Sequence, residues 1–307
     1  MATATPATGE RFRLGEGPVW DAPRRRLLWV DIEGGVVLAG VLDAGAITVT
    51  DRTSFDGMVG AVTAAADGTL LVAGQEQLVV RHPDGTRQDG PRIVPAGEPR
   101  RLNDGKTDPV GRFLVGTLSM AGPSEREVLV RLEPDGHLTV LDHDLTLSNG
   151  LAWSSDGRRM FSVDTLRATV FVRDYDPGSG AVGPRRVHLR LEDGLPDGIA
   201  MDAADHLWVA VWGGGEVRRY APDRTPADRV VTGAPHTSSV TFAGDDLRVL
   251  VITTATSELT DAQLGAHPDS GRVFSAPVDV PGLPVAPWQG LAAPSVAAQG
   301  DATAPGS

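Results

Sequence analysis

One local pattern recurs six times along the chain, and no other feature narrows the fold as far. A short apolar strand meets a turn carrying Asp or Gly, and a second apolar strand follows. The copies lie at 18–30, 61–72, 106–115, 151–163, 199–209 and, more weakly, 240–251. Their turns centre near residues 23, 67, 110, 156, 204 and 245, a spacing of about 41 to 48 residues. Asp-Gly and similar pairs suit hairpin turns because they tolerate positive φ. Val, Leu, Phe and Trp crowd the flanks, as strands favour. A second set of turns, at Pro83-Asp-Gly85, Pro134-Asp-Gly136 and Asp176-Pro-Gly178, falls between the copies. Each repeat therefore holds about four short antiparallel strands, which is the pattern of a propeller blade. The chain is expected to be all-β, a six-bladed β-propeller. A sandwich would not space its turns so evenly, and the period is too long for a hexapeptide or nonapeptide β-helix. No long segment shows 3.6-residue apolar periodicity, so helices should be scarce.

The repeats predict a propeller over 14–291. A partly flexible N-terminal segment at 1–13 should precede it. A disordered tail rich in Ala, Pro, Gly and Ser should follow at 292–307. The net charge of -12 disfavours phosphate backbones and anionic membrane surfaces, so neither nucleic acid nor membrane is an expected partner. The absence of cysteine removes disulfides, thiolate metal sites and cysteine nucleophiles. No apolar stretch reaches the roughly 18 residues of a membrane span. The first residues read as no secretory signal, and the cytoplasm is the expected address. Oligomeric state is left open.

In a propeller the first strand of each blade lines a central channel, so equivalent positions converge. With the copies in register, one column reads Glu16, Val59, Asn103, Asn149, Asp197 and Ser238. The next reads Gly17, Gly60, Asp104, Gly150, Gly198 and Ser239. The glycines imply close backbone approach around a narrow channel. Two carboxylates, two amides and a hydroxyl are costly to bury together without a cation or water. Their oxygens are hard ligands suited to one divalent ion, Ca²⁺ or Zn²⁺ first and Mn²⁺ or Mg²⁺ next. Glu16, Asn149 and Asp197 are the expected direct ligands, with Asn103 nearby. The plainer reading makes each a strand-end residue that bonds local backbone. Asp104 either reaches the site or bonds only its neighbouring loop. Trp20, Trp29, Trp153 and Trp208 should pack between blades, while Trp212 and His236 are candidates for a pocket wall.

Several segments resemble the SMP-30/gluconolactonase/regucalcin family. They include Leu14-Gly-Glu-Gly-Pro-Val-Trp-Asp21, Trp29-Val-Asp-Ile32, Arg101-Leu-Asn-Asp-Gly-Lys-Thr-Asp108, Ser148-Asn-Gly-Leu-Ala-Trp153, Pro196-Asp-Gly-Ile-Ala-Met-Asp202 and Trp208-Val-Ala-Val-Trp-Gly-Gly-Gly215. The resemblance runs from about Leu14 to Val278, and the order and spacing of the set make it specific. It implies a six-bladed propeller and a lactonase for sugar acids, and some members hydrolyse organophosphates. It implies that Glu16, Asn149 and Asp197 hold the metal, that Arg101 and Asn103 hold substrate, and that Asp197 is the general acid/base.

The expected reaction is metal-dependent opening of a lactone ring, a sugar-acid lactone first, by polarisation of its carbonyl and attack of water. Asp104 joins Arg101 and Asn103 as an expected substrate contact. A plainer reading leaves Arg101 an exposed surface residue. Competing chemistry is poorly supported: Gly-x-Ser-x-Gly, phosphate-loop and dinucleotide patterns are missing, and no His-x-x-x-His pair occurs. Some sugar lactonases carry an acid just after Gly-Thr-Met in blade three. Here that stretch is Gly116-Thr-Leu-Ser-Met-Ala121, which points to a less polar lactone. The alternatives are a non-catalytic calcium-binding or scaffold propeller and a phosphotriester hydrolase.

Overall fold

The computed structural model describes residues 1–292. The tail expected over 292–307 lies outside the described residues, apart from its first. The chain forms six small sheets, each built on four adjacent antiparallel strands, and they close into a six-bladed β-propeller. The innermost strands are Gly15–Asp21, Ala61–Ala64, Arg100–Thr107, Ser148–Trp153, Leu195–Met201 and Thr237–Ala243, for blades 1 to 6 in order. Helix is confined, among the described residues, to Asp261–Ala266 and two short 3-10 turns.

The core lies in the clefts between blades. Six buried apolar clusters occupy the six interfaces, one each. Trp208 meets Phe242 edge-on at 5.8 Å across the cleft between blades 5 and 6. Trp20 and Trp29 pack against Ala243 and Val251 of blade 6, and Trp153 against Leu114 and Leu129 of blade 3. Each strand thus buries alternate residues against two neighbouring sheets, which explains near-continuous apolar runs such as Leu27–Val30.

The ring is closed by residues that the repeats alone place outside it. Thr5–Pro6 pairs with Phe274–Pro277 as the outer strand of blade 6, and Ala2–Thr3 adds in parallel to Pro226–Val231 of blade 5. Two-residue strands carry no readable period, and their partners lie at the far end of the chain. The segment after blade 6 runs back across the ends of the inner strands. Leu283 N–H donates to Met201 O at 3.0 Å, Ala286 O accepts from Thr107 Oγ1 at 2.6 Å, and Trp288 N–H donates to Ala64 O at 2.8 Å.

Buried acids at the strand ends tie the hairpins. Asp202, with no exposed surface, accepts from Trp208 Nε1 at 3.0 Å and from Arg219 at 2.6 Å, besides the Ala204 and His206 amides. Replacing it leaves buried donors and a cation without a partner. Asp202→Ala is expected to cost about 3 kcal/mol in urea unfolding. Asp174→Ala, which removes only the exposed pair with Arg186, should leave the urea midpoint close to that of wild type.

Candidate metal centre and substrate pocket

The inner strands enter the channel at one end with their N-terminal residues. Each is bulged at the level of the expected ligand column, except in blade 2. Pairing slips between Glu16 and Val19, Leu102 and Gly105, Asn149 and Leu151, Pro196 and Ile199, and Thr237 and Ser239. A bulge re-aims a side chain and interrupts the ladder, which suits a site residue. The glycines that follow are required by crowding. A Cβ on Gly60 would stand 2.5 Å from Asn103 O, and one on Gly150 would stand 2.4 Å from Asp197 O.

Glu16, Asn103, Asn149 and Asp197 are each buried at the floor of one cavity of about 570 Å³. A chain of hydrogen bonds fixes the two amides. The Arg101 guanidinium has only donors. Its Nη1 donates to Asn103 Oδ1 at 2.6 Å and to Leu102 O at 3.0 Å. Asn103 must therefore turn Nδ2 toward Ser148 O at 2.9 Å and Asn149 Oδ1 at 3.0 Å. Asn149 in turn donates from Nδ2 to Thr165 Oγ1 at 3.0 Å, and Thr165 donates its O–H to Pro196 O at 2.9 Å. Asn149 Oδ1 keeps a second lone pair for a cation.

The electrostatics point the same way. Burial, and then the neighbouring Asp104 charge, raise Glu16 from 4.5 to about 8. Burial, followed by the charges of Glu16 and Asp104, lifts Asp197 well above the carboxylate range, against the pull of Arg101 and the Gly198 N–H. Burial also raises Asp104. Burial lowers Arg101 to about 10, while Glu16, Glu33 and Asp197 hold its charge. Asp197 Oδ1 is fully buried with no hydrogen-bond partner. An orphaned carboxylate oxygen beside a second carboxylate and a fixed amide oxygen fits a hard divalent cation. Among the described residues no three acids, histidines or cysteines converge as a ligand set. The set that fits contains an amide.

Arg101 is buried rather than exposed, and it lines the cavity. Its Nε and Nη2 have no partner among the described residues. Asp104 does not line the cavity. Its Oδ1 accepts from Gly105 N–H at 2.8 Å, and it sits deeper in the channel beside Lys106. Past the bulge, Asp104 lies outside the cavity wall that its expected role as a substrate contact would place it on. Trp212 lines the cavity, with His236 stacked on it at 4.0 Å. Where some sugar lactonases carry an acid, Ser119 and Met120 form the wall, and Met120 is 41% exposed. Glu125 pairs instead with Arg167, whereas Glu33 and Glu258 supply acids from blades 1 and 6. Sequence reasoning missed Thr165, which orients Asn149. Only its place after a strand-ending Asp, as Ile32 follows Asp31 in blade 1, marks it in the sequence.

The family model described as SMP-30/Gluconolactonase/LRE-like region matches residues 14–256. Pentonolactonase XacC of Haloferax volcanii is 35% identical over 289 residues, covering 92% of this chain and 97% of that protein. Regucalcin of Gallus gallus is 33% identical over 302 residues, covering 92% and 96%. The solved structure of a calcium-binding protein, regucalcin, from Agrobacterium tumefaciens superposes with a TM-score of 0.87 at 26% identity, covering 94% of this chain and all of that one. The chain belongs to the SMP-30/gluconolactonase/LRE-like family.

Proposed function

We propose that this protein is a divalent-metal-dependent hydrolase that opens the ring of sugar-acid lactones. One observation carries the reading: the partnerless Asp197 Oδ1 lies with Glu16 and the oriented Asn149 amide at the floor of an open cavity. Likeness to a pentonolactonase and to calcium-binding regucalcin supports it.

Glu16, Asn149 and Asp197 would hold the ion, Ca²⁺ or Zn²⁺, with Mn²⁺ and Mg²⁺ as substitutes. When bound, it supplies a Lewis acid that polarises the lactone carbonyl and stabilises the developing oxyanion. Arg101 directs its unpartnered N–H groups to substrate oxygens, and Asn103 holds that guanidinium in place. Asp197 takes a proton from the attacking water and returns it to the ring oxygen as that oxygen leaves. Glu33, Ser257 and Glu258 offer polar contacts on one wall, opposite Leu118, Met120 and Leu166. A scaffold or purely calcium-storing propeller would not need a buried arginine with free donors above the ion site. The substrate is a small molecule, and the acidic chain works in the cytoplasm.

Asp197→Ala should keep the circular dichroism of the parent and lose about 1,000-fold or more in kcat on a sugar δ-lactone. Chelator-treated protein should lose turnover and regain it on addition of one divalent ion, while a panel including phosphotriesters tests the competing hydrolase reading. Stability should also depend on pH. Glu16 binds its proton up to about pH 8 in the fold, against 4.5 ordinarily. Between those values the folded metal-free state holds more protons than the unfolded one, so stability falls as pH rises. The thermal midpoint of chelated protein should drop from pH 5 to pH 8, and a saturating divalent ion, which binds the ionised carboxylate, should flatten that drop.

A further inference from the structure

Of the 28 lysine and arginine residues in this chain, Lys106 alone is a lysine. Every other basic position uses arginine, on the surface and in buried pairs alike. The one exception stands inside the channel. Lys106 lies on the blade 3 inner strand, two residues past Asp104, and its Nζ donates to Ile199 O of blade 5 at 2.9 Å. The side chain therefore reaches across the channel beneath the Glu16, Asn149 and Asp197 level. Below it opens a second cavity of about 440 Å³, walled by Met201, Phe242, Leu283, Pro284 and Lys106 itself.

Its size suits the place. The inner strands approach so closely that Gly60, Gly150 and Gly198 tolerate no Cβ. A compact ammonium on a slim four-carbon stem fits between them. Its charge also matters. Glu16, Asp104 and Asp197 bring three carboxylates to this channel, and among the described residues Arg101 and Lys106 are the cations set against them. Arg101 lies at the upper end by the substrate cavity, and Lys106 at the lower end beside Asp104. Fully ionised, these five groups carry one excess negative charge, and Glu33, which faces Arg101 from the cavity wall, adds another; Lys106 offsets one unit whether or not an ion is bound.

We propose that Lys106 is a positioning residue that acts through its charge: held across the channel beneath the ion site, it makes the metal-loaded site more positive toward the developing oxyanion. This rests on the reading of the site as a metal-dependent hydrolase. Lys106 touches neither substrate nor ion. It weakens ion binding and strengthens the field that the ion presents to the carbonyl. That trade gives the proposal a sign that a mere structural prop lacks.

The test is calorimetric titration of chelator-treated protein with Ca²⁺ and Mn²⁺, comparing wild type with Lys106→Met, Lys106→Gln and Lys106→Arg. Lys106→Gln keeps an N–H donor for Ile199 O, should Lys106→Met fail to fold. Both neutral variants should bind the ion about tenfold more tightly, while kcat on a sugar δ-lactone falls about tenfold or more with KM within about twofold. Lys106→Arg should keep the wild-type Kd. Unchanged or weaker ion binding in the neutral variants would overturn the proposal, as would an arginine variant that behaves like the neutral ones. The binding experiment uses no substrate. Normal ion binding without lactone turnover would therefore count against the proposed reaction alone, and wild type that binds no divalent ion would overturn both.

Discussion

Three carboxylates are held around one narrow channel, and their mutual repulsion is the constraint around which this structure is built. Burial raises Glu16, Asp104 and Asp197, and neighbouring carboxylates add to the rise of Glu16 and Asp197. Such a group is unfavourable in isolation, because each added negative charge makes the next harder to keep. It is tolerated because the backbone carrying it cannot spread. Six apolar clusters lock six blades into a ring, and the strands in contact with that core present the acids. The core fixes the geometry, and the geometry creates a demand for positive charge that Arg101 and Lys106 meet in part and that the proposed divalent ion would complete.

The ring is six-fold in shape and asymmetric in chemistry. Blades 1, 4 and 5 supply the oxygens proposed to hold the ion, and blade 3 supplies Arg101 and Asn103, while at the equivalent positions Val59 packs in the cleft between blades 1 and 2 and Ser238 bonds Gly15 O. The inner strands of five blades are bulged there, and only blade 2, whose channel residue is apolar, keeps a regular ladder. Irregular backbone coincides with polar chemistry, as it does where a strand must aim one side chain and then resume pairing. The order of the amides follows from one fact about arginine, which can only donate. Turning either asparagine would set two donors against each other.

Much of this architecture is legible in the amino-acid sequence. Turn spacing marks the blades, and register down the repeats brings Glu16, Asn103, Asn149 and Asp197 to one level, because a ring converts equal position in a repeat into nearness in space. The glycine column is legible for the same reason. Other features depend on contacts that no repeat encodes. Thr5 pairs with Ser275 across the whole chain, so the closing strands lie hidden in a segment that reads as separate. Thr165 touches the site from a turn outside the inner strands, and Asp104 turns away from the mouth because the bulge breaks simple alternation. Arg101 reads equally well as an exposed residue until the fold buries it and sets Asn103 against it.

The central claim, that Glu16, Asn149 and Asp197 share one divalent ion at the cavity floor, is tested most directly by anomalous scattering from crystals grown with Mn²⁺. The account predicts a single strong peak, about 2.0 to 2.6 Å from oxygens of all three residues. Strong peaks confined to surface acids, with an empty channel floor, would contradict it.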